Sequence, residues 1–305
     1  MPQPKRLEVQ VDGRTLSLSN LDKVLYPQAG FTKGHVIDYY TRIAPAVLPH
    51  LRGRALTLKR YPNGVDGQFF YEKNCPSHAP EWVRRATVPI RTDGRTIDFC
   101  LAEDLPTLVW LANLADLELH TSLAKAVDPK APTILAFDLD PGEPATVIEC
   151  ARVALELRDA FAQLGLQGFP KTSGSKGMQV YVPLNTPHTY AQTKRFSQAM
   201  AQLLERRDPE RVVSEMAKEK RRGRIFVDWS QNDEHKTTVA VYSLRARERP
   251  TVSTPLLWEE VEAAADHGDP AALAFTSDEV LDRFTEHGDL FAGVETLEQE
   301  LPALG

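Results

Sequence analysis

A mixed α/β fold is predicted by three features of this 305-residue chain. Segments with strand alternation and segments with helical spacing follow one another along most of its length. The hydrophobic share is 42%, enough to build a sizeable core as one large domain or two lobes. No run of about 18 apolar residues interrupts the pattern, so no membrane span is expected.

The elements follow in order. LEVQVDGRTLSLS reads as a hairpin around Asp12-Gly13. SNLDKVLYP offers a cap and a short helix stopped by Pro27. From Thr32, apolar residues at Val36, Tyr39, Tyr40, Ile43, Val47 and Leu51 have helical spacing. ALTLKRYPNG is a strand ending in a turn, and QFFYEK follows it. LPTLVWLANLADLELHTSLA begins as a buried helix and ends as a strand around His120. ILAFDLD is a strand, and VIECARVALELRDAFAQLGL is a helix closed by Gly165. FPKTSGSKGMQVYVPL is a strand–turn–strand unit, and AQTKRFSQAMAQLLERR an amphipathic helix. RIFVDWSQN and TTVAVYSLR are strands. ARERPTVSTPLLW reads as a Pro-rich connector, TSDEVLDRFTEHGDLF as a capped helix, and residues 292–305 as a loose tail.

The net charge of −6 conceals an asymmetry. Residues 1–95 carry 15 Lys/Arg against 8 Asp/Glu, whereas residues 256–305 carry 1 against 13. A basic beginning and an acidic end are compatible with phosphate binding at one side. MPQPKRLEVQ lacks the apolar core of a signal peptide, and Cys75, Cys100 and Cys150 lack the spacing of a disulfide framework. Both point to a reducing, cytoplasmic compartment. Cys75 and His78 have no second pair at zinc-finger spacing, so no zinc site is expected.

Several constellations carry chemistry. In ILAFDLDPGE, Asp138 and Asp140 stand two apart on an apolar strand and therefore share a face. Paired carboxylates repel and resist desolvation unless water or a cation reaches them. With Asp228 in IFVDWSQN they supply hard oxygen donors of the kind Mg²⁺ and Mn²⁺ take. The alternative is that the pair caps the turn at Pro141-Gly142. KTSGSKGMQVYV sets Ser173, Ser175 and Lys176 among glycines, a turn whose amides can form an anion nest, or simply a flexible hairpin. It is not a Walker A loop, because the spacing is absent and a strand follows. His120 sits in an apolar strand. Lys59, Arg60 and Lys73 bracket Phe70 and Tyr71, a pattern that suits a nucleic-acid strand as well as a core. Asn20, Lys23 and Lys33 lie near a helix start, where anions bind.

Taken in order, NLDKVLYP, LKRYPNGVDG, FDLDPGE, TSGSKG, IFVDWSQN and KTTVAVYSLR resemble the polymerase domain of bacterial ligase D, in the archaeo-eukaryotic primase superfamily. The resemblance covers about residues 15–290. The resemblance implies a two-lobed α/β primase-polymerase fold with an RRM-like catalytic sheet. It divides the chain into a basic lobe of about residues 1–110, a catalytic lobe of about 111–290, and an acidic tail, 291–305. It implies template-directed nucleotidyl transfer that fills gaps or ends in DNA repair, with ribonucleotides often preferred. Asp138, Asp140 and Asp228 then match the triad for two Mn²⁺ or Mg²⁺ ions. His120, Ser173, Lys176 and Arg245 match residues around the incoming NTP or dNTP, with Lys59, Ser175 and Gln231 in the same motifs.

The resemblance also assigns the DNA contacts. Asn20, Lys23 and Lys33 match a pocket for the 5′-phosphate of gapped or broken double-stranded DNA. Phe70 and Tyr71 match an aromatic pair on the template, with Arg60 and Lys73 beside them; Tyr71 stands where phenylalanine is usual. A bacterial cytoplasmic protein that joins the nucleoid on DNA is implied. Nothing after residue 290 could encode a ligase or nuclease, so the chain is read either as a stand-alone polymerase, with a ligase and an end-binding protein acting in trans, or as an excised domain. Two other readings stay open: an end-binding module without catalysis, and a different D-x-D metal-dependent transferase. A phosphatase of the haloacid dehalogenase type is disfavoured, because Pro141 stands where that motif has glycine.

Overall fold

Thr32 opens the first long helix, Lys33–Leu51, its hydroxyl accepting from the His35 amide while the His35 ring accepts from the Thr32 amide. The apolar stripe expected from the sequence (Val36, Tyr39, Tyr40, Ile43, Val47 and Leu51) is the face this helix buries. The computed structural model describes residues 6–89 and 94–303.

That stripe packs, with helix Leu105–Asn113, on one face of a six-stranded sheet. Thr238–Val239, Asp116–Thr121, Leu56–Arg60, Thr96–Cys100 and Arg85–Pro89 lie side by side in it, and Phe70–Glu72 pairs with Leu56–Arg60. Leu56, Leu58, Leu117 and Leu119 face the helices. Thr57, Lys59, Glu118 and His120 alternate with them and face the other way.

The second sheet has five strands, in the order Phe169–Thr172, Met178–Pro183, Ile134–Pro141, Ile225–Asp228 and Val212–Val213. Helices Val147–Gln163 and Tyr190–Arg207 cover one face of it through Phe137, Leu139, Val180, Val227, Phe161 and Phe196. Thr146 and Glu149 form the capping box of the first of these helices, and Gly165, at φ 71°, ends it. The uncovered face carries Ala136 and Tyr181, which belong to the core of the other sheet. The two sheets thus look at each other across a cleft.

Several expectations are corrected here. Pro27 does not stop a helix: Val24–Tyr26 is a short strand, and Pro27 opens a 3₁₀ turn, which suits its fixed φ. TTVAVYSLR yields only Thr238–Val239 and Leu244–Ala246 as strands, and the connector after it folds back as Pro250–Val252 against Leu244–Ala246. Cys75 and Cys100 form a disulfide, whereas both were expected to be free. They are 25 residues apart, but the Cys75 amide donates to the Asp98 carbonyl, which brings that loop onto the strand carrying Cys100. Cys150 is free and buried.

Residues 292–303 are not loose. Glu295 accepts from Arg54 Nη2 at 2.9 Å and Lys125 Nζ at 2.7 Å, and Asn185 Nδ2 donates to the carbonyls of Val294 and Leu297. Arg54 is 1% exposed, so Glu295 is the counter-charge of a guanidinium inside the protein. Glu295→Ala is expected to cost about 3 kcal/mol of stability, because it leaves that charge unpaired. Denaturant unfolding checks this, and a loss below about 1 kcal/mol would mean that solvent screens the pair. Among the described residues no helix is long and apolar enough to cross a membrane.

Candidate active site

Cross-strand register sets the polar row at the centre of the cleft. Lys171 lies opposite Gln179, Gln179 opposite Asp138, and Asp138 opposite Asp228. Partners in register share a face, and Asp140, two residues beyond Asp138, joins them. The sequence placed the first two aspartates together; the register adds Asp228 on the neighbouring strand.

Gln179 Nε2 donates to Asp138 at 3.0 Å. Asp228 accepts from the Ser230 amide at 3.0 Å and from Gln231 Nε2 at 3.2 Å, so Gln231 bears on the triad. Burial first, and repulsion from Asp140 second, push the Asp138 carboxyl up to about 7. Burial and the Asp228 charge raise Asp140 as well. Among the described residues no three ligating side chains already converge on one point. The strands therefore supply three hard oxygen donors with uncompensated negative charge, and not a finished cage. That donor set fits divalent cations of the Mg²⁺ and Mn²⁺ class.

Across the cleft, Glu118 is a hub that sequence reading did not single out. It is 2% exposed. Its carboxylate accepts from Lys59 Nζ at 3.1 Å and His120 Nε2 at 3.0 Å, and the Ala246 amide donates to it at 3.1 Å. Arg245 Nε stands 3.4 Å away, outside hydrogen-bond geometry, and contributes as a charge. Burial works to raise the Glu118 pKa, but the His120 hydrogen bond and the charges of Arg245, His120 and Lys59 outweigh it and hold the carboxyl well below the usual range. His120 is lowered, chiefly by burial, with Glu118 opposing. One acid thus gathers three of the predicted nucleotide-site residues, Lys59, His120 and Arg245. Its signal was available: a glutamate two residues before the histidine, between leucines of an apolar strand.

The turn after Phe169–Thr172 is shaped by its glycines. A Cβ on Gly174 would lie 2.5 Å from the Val252 carbonyl carbon, and one on Gly177 would lie 2.1 Å from the Leu139 oxygen. The nest differs from expectation in one respect: the Ser175 and Gly177 amides donate to Ser173 Oγ at 3.2 and 3.1 Å. Ser173 itself occupies two donors that an anion would use. Arg245 Nη1 donates to the Ser173 carbonyl, and Arg247 to Ser175 Oγ. Lys176 pairs with Glu143 at 2.9 Å in the open. A cavity of about 320 Å³ joins this turn to His120, Asp138, Asp140, Gln231 and Arg245.

Lys171 was also missed. It is wholly buried, donating to Ser253 Oγ at 2.7 Å and the Val239 carbonyl at 3.2 Å. Burial pushes its ammonium pKa down to about 7, against the pull of Asp138.

The predicted DNA-contacting residues divide. Lys33 is 6% exposed and donates to the Asn113 carbonyl at 2.7 Å; burial, then the Lys23 charge, lower its pKa to about 8. Lys23 Nζ donates to Asn63, and Asn20, at φ 53°, opens the turn that leads into Lys23. Two mutually repelling lysines thus stand beside this turn. Phe70 and Tyr71 do not form one pair, because successive strand residues face opposite ways. Phe70 lies opposite Arg60 and under its guanidinium, whereas Tyr71 lies opposite Lys59. Phe69 is Tyr71's neighbour instead, at 5.8 Å between ring centroids, and it is 49% exposed. Arg60 is itself held by Glu72 at 2.6 Å. Lys73 lines a separate cavity.

Residues 32–291 match the family model of the LigD primase-polymerase domain. The chain is 42% identical over 295 residues to the multifunctional non-homologous end joining DNA repair protein LigD of Mycobacterium tuberculosis, covering 94% of this chain and 37% of that protein. It is 33% identical to the bifunctional non-homologous end joining protein LigD of Bacillus subtilis, over 90% of this chain and 43% of that one. A solved structure, the polymerase domain from Mycobacterium tuberculosis ligase D in complex with DNA, superposes with a TM-score of 0.85 at 40% identity, covering 93% of this chain and 99% of that one. The chain spans less than half the length of these curated relatives.

Proposed function

The chain belongs to the LigD primase-polymerase domain family, and from that premise we propose that it is a template-directed nucleotidyltransferase that fills short gaps or ends during DNA repair. The observation that carries this is the meeting of Asp138, Asp140 and Asp228 on one sheet face with the cationic face of the other sheet across one cleft. Two divalent cations, Mn²⁺ or Mg²⁺, held by these carboxylates would activate the primer 3′-hydroxyl and neutralise the departing pyrophosphate. Gln179 and Gln231 hold Asp138 and Asp228 in place for that role. Ser173, Lys176 and Arg245 orient the triphosphate, so that positioning and electrostatics supply most of the rate. His120 has its Nε2–H committed to Glu118 and its pKa lowered by burial, so it contacts the triphosphate as a donor through Nδ1 only when it takes up a second proton.

Gapped DNA is held at the other end of the basic sheet, its 5′-phosphate between Lys23 and Lys33 and its template against the aromatic cluster. Sealing the filled strand would fall to a ligase activity. The test is extension of a 5′-phosphorylated one-nucleotide gap with Mn²⁺, comparing ribo- with deoxyribonucleotides. Metal-dependent addition favouring ribonucleotides is expected; tight binding without addition would leave only an end-binding module.

Lys23→Ala is expected to weaken the preference for a 5′-phosphate by about tenfold, as loss of one charge-assisted contact does, while extension of a plain primer survives. Equal losses on the two substrates would reject this division.

A further inference from the structure

A second cavity, of about 350 Å³, adjoins the first at Thr237, which lines both. Its floor is the small apolar cluster of Ala55, Val88 and Phe99, with Ala126 packed against it. Lys73 and Lys236 stand at its edge. Thr57 lies opposite His120 in the sheet, so the cavity continues the cationic face of the nucleotide site.

Its position relative to the aspartates decides what it can hold. Along Ile134–Pro141, the Ser173–Gly177 turn lies beyond the Leu139–Met178 pairing, at the Asp140 end. Asn232 bonds both the amide and the carbonyl of Ala136, and Tyr181, opposite Ala136, meets the Thr238 hydroxyl. The segment leading through Lys236 and Thr237 therefore lies at the Ala136 end. Asp138 and Asp228 stand between the two. In phosphoryl and nucleotidyl transfer the attacking and leaving oxygens are roughly in line. With pyrophosphate departing toward Ser173 and Lys176, the 3′-oxygen must arrive from the side of Thr237.

We propose that this second cavity seats the sugar and base of the primer's 3′-terminal nucleotide, with Lys73 beside the phosphate that precedes it. An apolar floor with a few polar groups at the edge suits a ring system that a phosphate chain must enter. The bond formed joins the 3′-oxygen to the α-phosphorus, its proton passing to water. The bond broken frees pyrophosphate, and nothing is oxidised or reduced. The assignment rests on the nucleotidyltransferase reading.

Ala126→Trp fills the cavity, and Lys73→Ala removes its exposed cation without touching the core. The expected result is a loss of about tenfold in kcat/KM for primer in the first and a smaller loss in the second, with KM for the nucleotide unchanged within about twofold. Unchanged primer kinetics in folded Ala126→Trp overturns the proposal, as does a parallel rise in nucleotide KM, which would assign the cavity to the incoming nucleotide. If Ala126→Trp does not fold, unaltered primer kinetics in Lys73→Ala overturns it alone. Fluorescence anisotropy of a recessed 3′ end, measured with Ca²⁺, needs no turnover. Should the wild type fail to extend but bind that end more tightly than Ala126→Trp does, the cavity assignment stands and the polymerase reading falls. Equal binding by both would sink the cavity.

Discussion

Asp138→Asn is expected to abolish nucleotide addition, by at least about 10³-fold, and at the same time to make the fold more stable. The two effects have one cause. Burial and the neighbouring Asp140 raise the Asp138 carboxyl from its ordinary 3.8 to about 7. Between those values the folded protein holds a proton that the unfolded chain has released. Stability therefore falls as pH rises through that window, and above about 7 the full cost of an ionised Asp138 is present. Asparagine keeps the Gln179 contact within reach and removes the charge. A gain on the order of 1 kcal/mol follows, about 2 °C in Tm for a chain of this size. Activity is lost because a neutral amide is a poor ligand for a hard cation.

The same titration ties metal affinity to pH, since a cation must displace the proton. Half-saturating Mn²⁺ is expected to fall as pH rises from about 6 to about 8. Thermal melting at two pH values, a Mn²⁺ titration of extension, and binding of gapped duplex by the variant check these statements together. Residual addition by folded Asp138→Asn would remove Asp138 from the chemistry, whereas loss of duplex binding would move it to the DNA surface.

What the sequence made legible follows a physical division. Periodicity reports burial on one face of one element, so the capped helix at Lys33–Leu51 and the aspartate strand at Ile134–Pro141 could be read from their own residues. Register between strands distant in sequence leaves no local trace. Nothing near Asp228 says that it lies opposite Asp138, and nothing in LTLKRY says that Lys59 lies opposite Glu118. Motif resemblance supplied the first of these and not the second. The disulfide was missed for the same reason, because Cys75 and Cys100 meet through a loop that spacing alone does not place. The aromatic pair was misread where the motif suggested adjacency in space. Strand alternation splits Phe70 from Tyr71 and substitutes Phe69, which no motif had marked.

Glu118 is where the unread part of the site has most to say about function. Removing a buried acid that compensates Lys59 and Arg245 and anchors the His120 ring leaves two charges without a partner inside the cleft. Glu118→Gln is expected to cost about 3 kcal/mol. Because the carboxyl is held far below its ordinary 4.5, its contribution is fully present above that value. It erodes only as pH falls below it, so the loss in the variant stays constant from pH 6 to 8. The nucleotide then distinguishes a positioning residue from a scaffold residue. A triphosphate brings the negative charge that the variant lacks, so saturating nucleotide should raise the Tm of Glu118→Gln by more than that of the wild type. Orientation is not restored with charge: Lys59 and His120 are aimed by the two hydrogen bonds to Glu118, and losing that aim is expected to lower kcat by about 10- to 100-fold. The KM for nucleotide, governed by net attraction, should change far less. Glu118→Asp, which keeps the charge on a shorter arm, should recover stability more fully than kcat. Equal nucleotide stabilisation of variant and wild type, with kcat intact, would make Glu118 a support for the fold alone. A divergence between recovered stability and lost turnover would instead show that the buried acid acts on the chemistry by holding its cations in place.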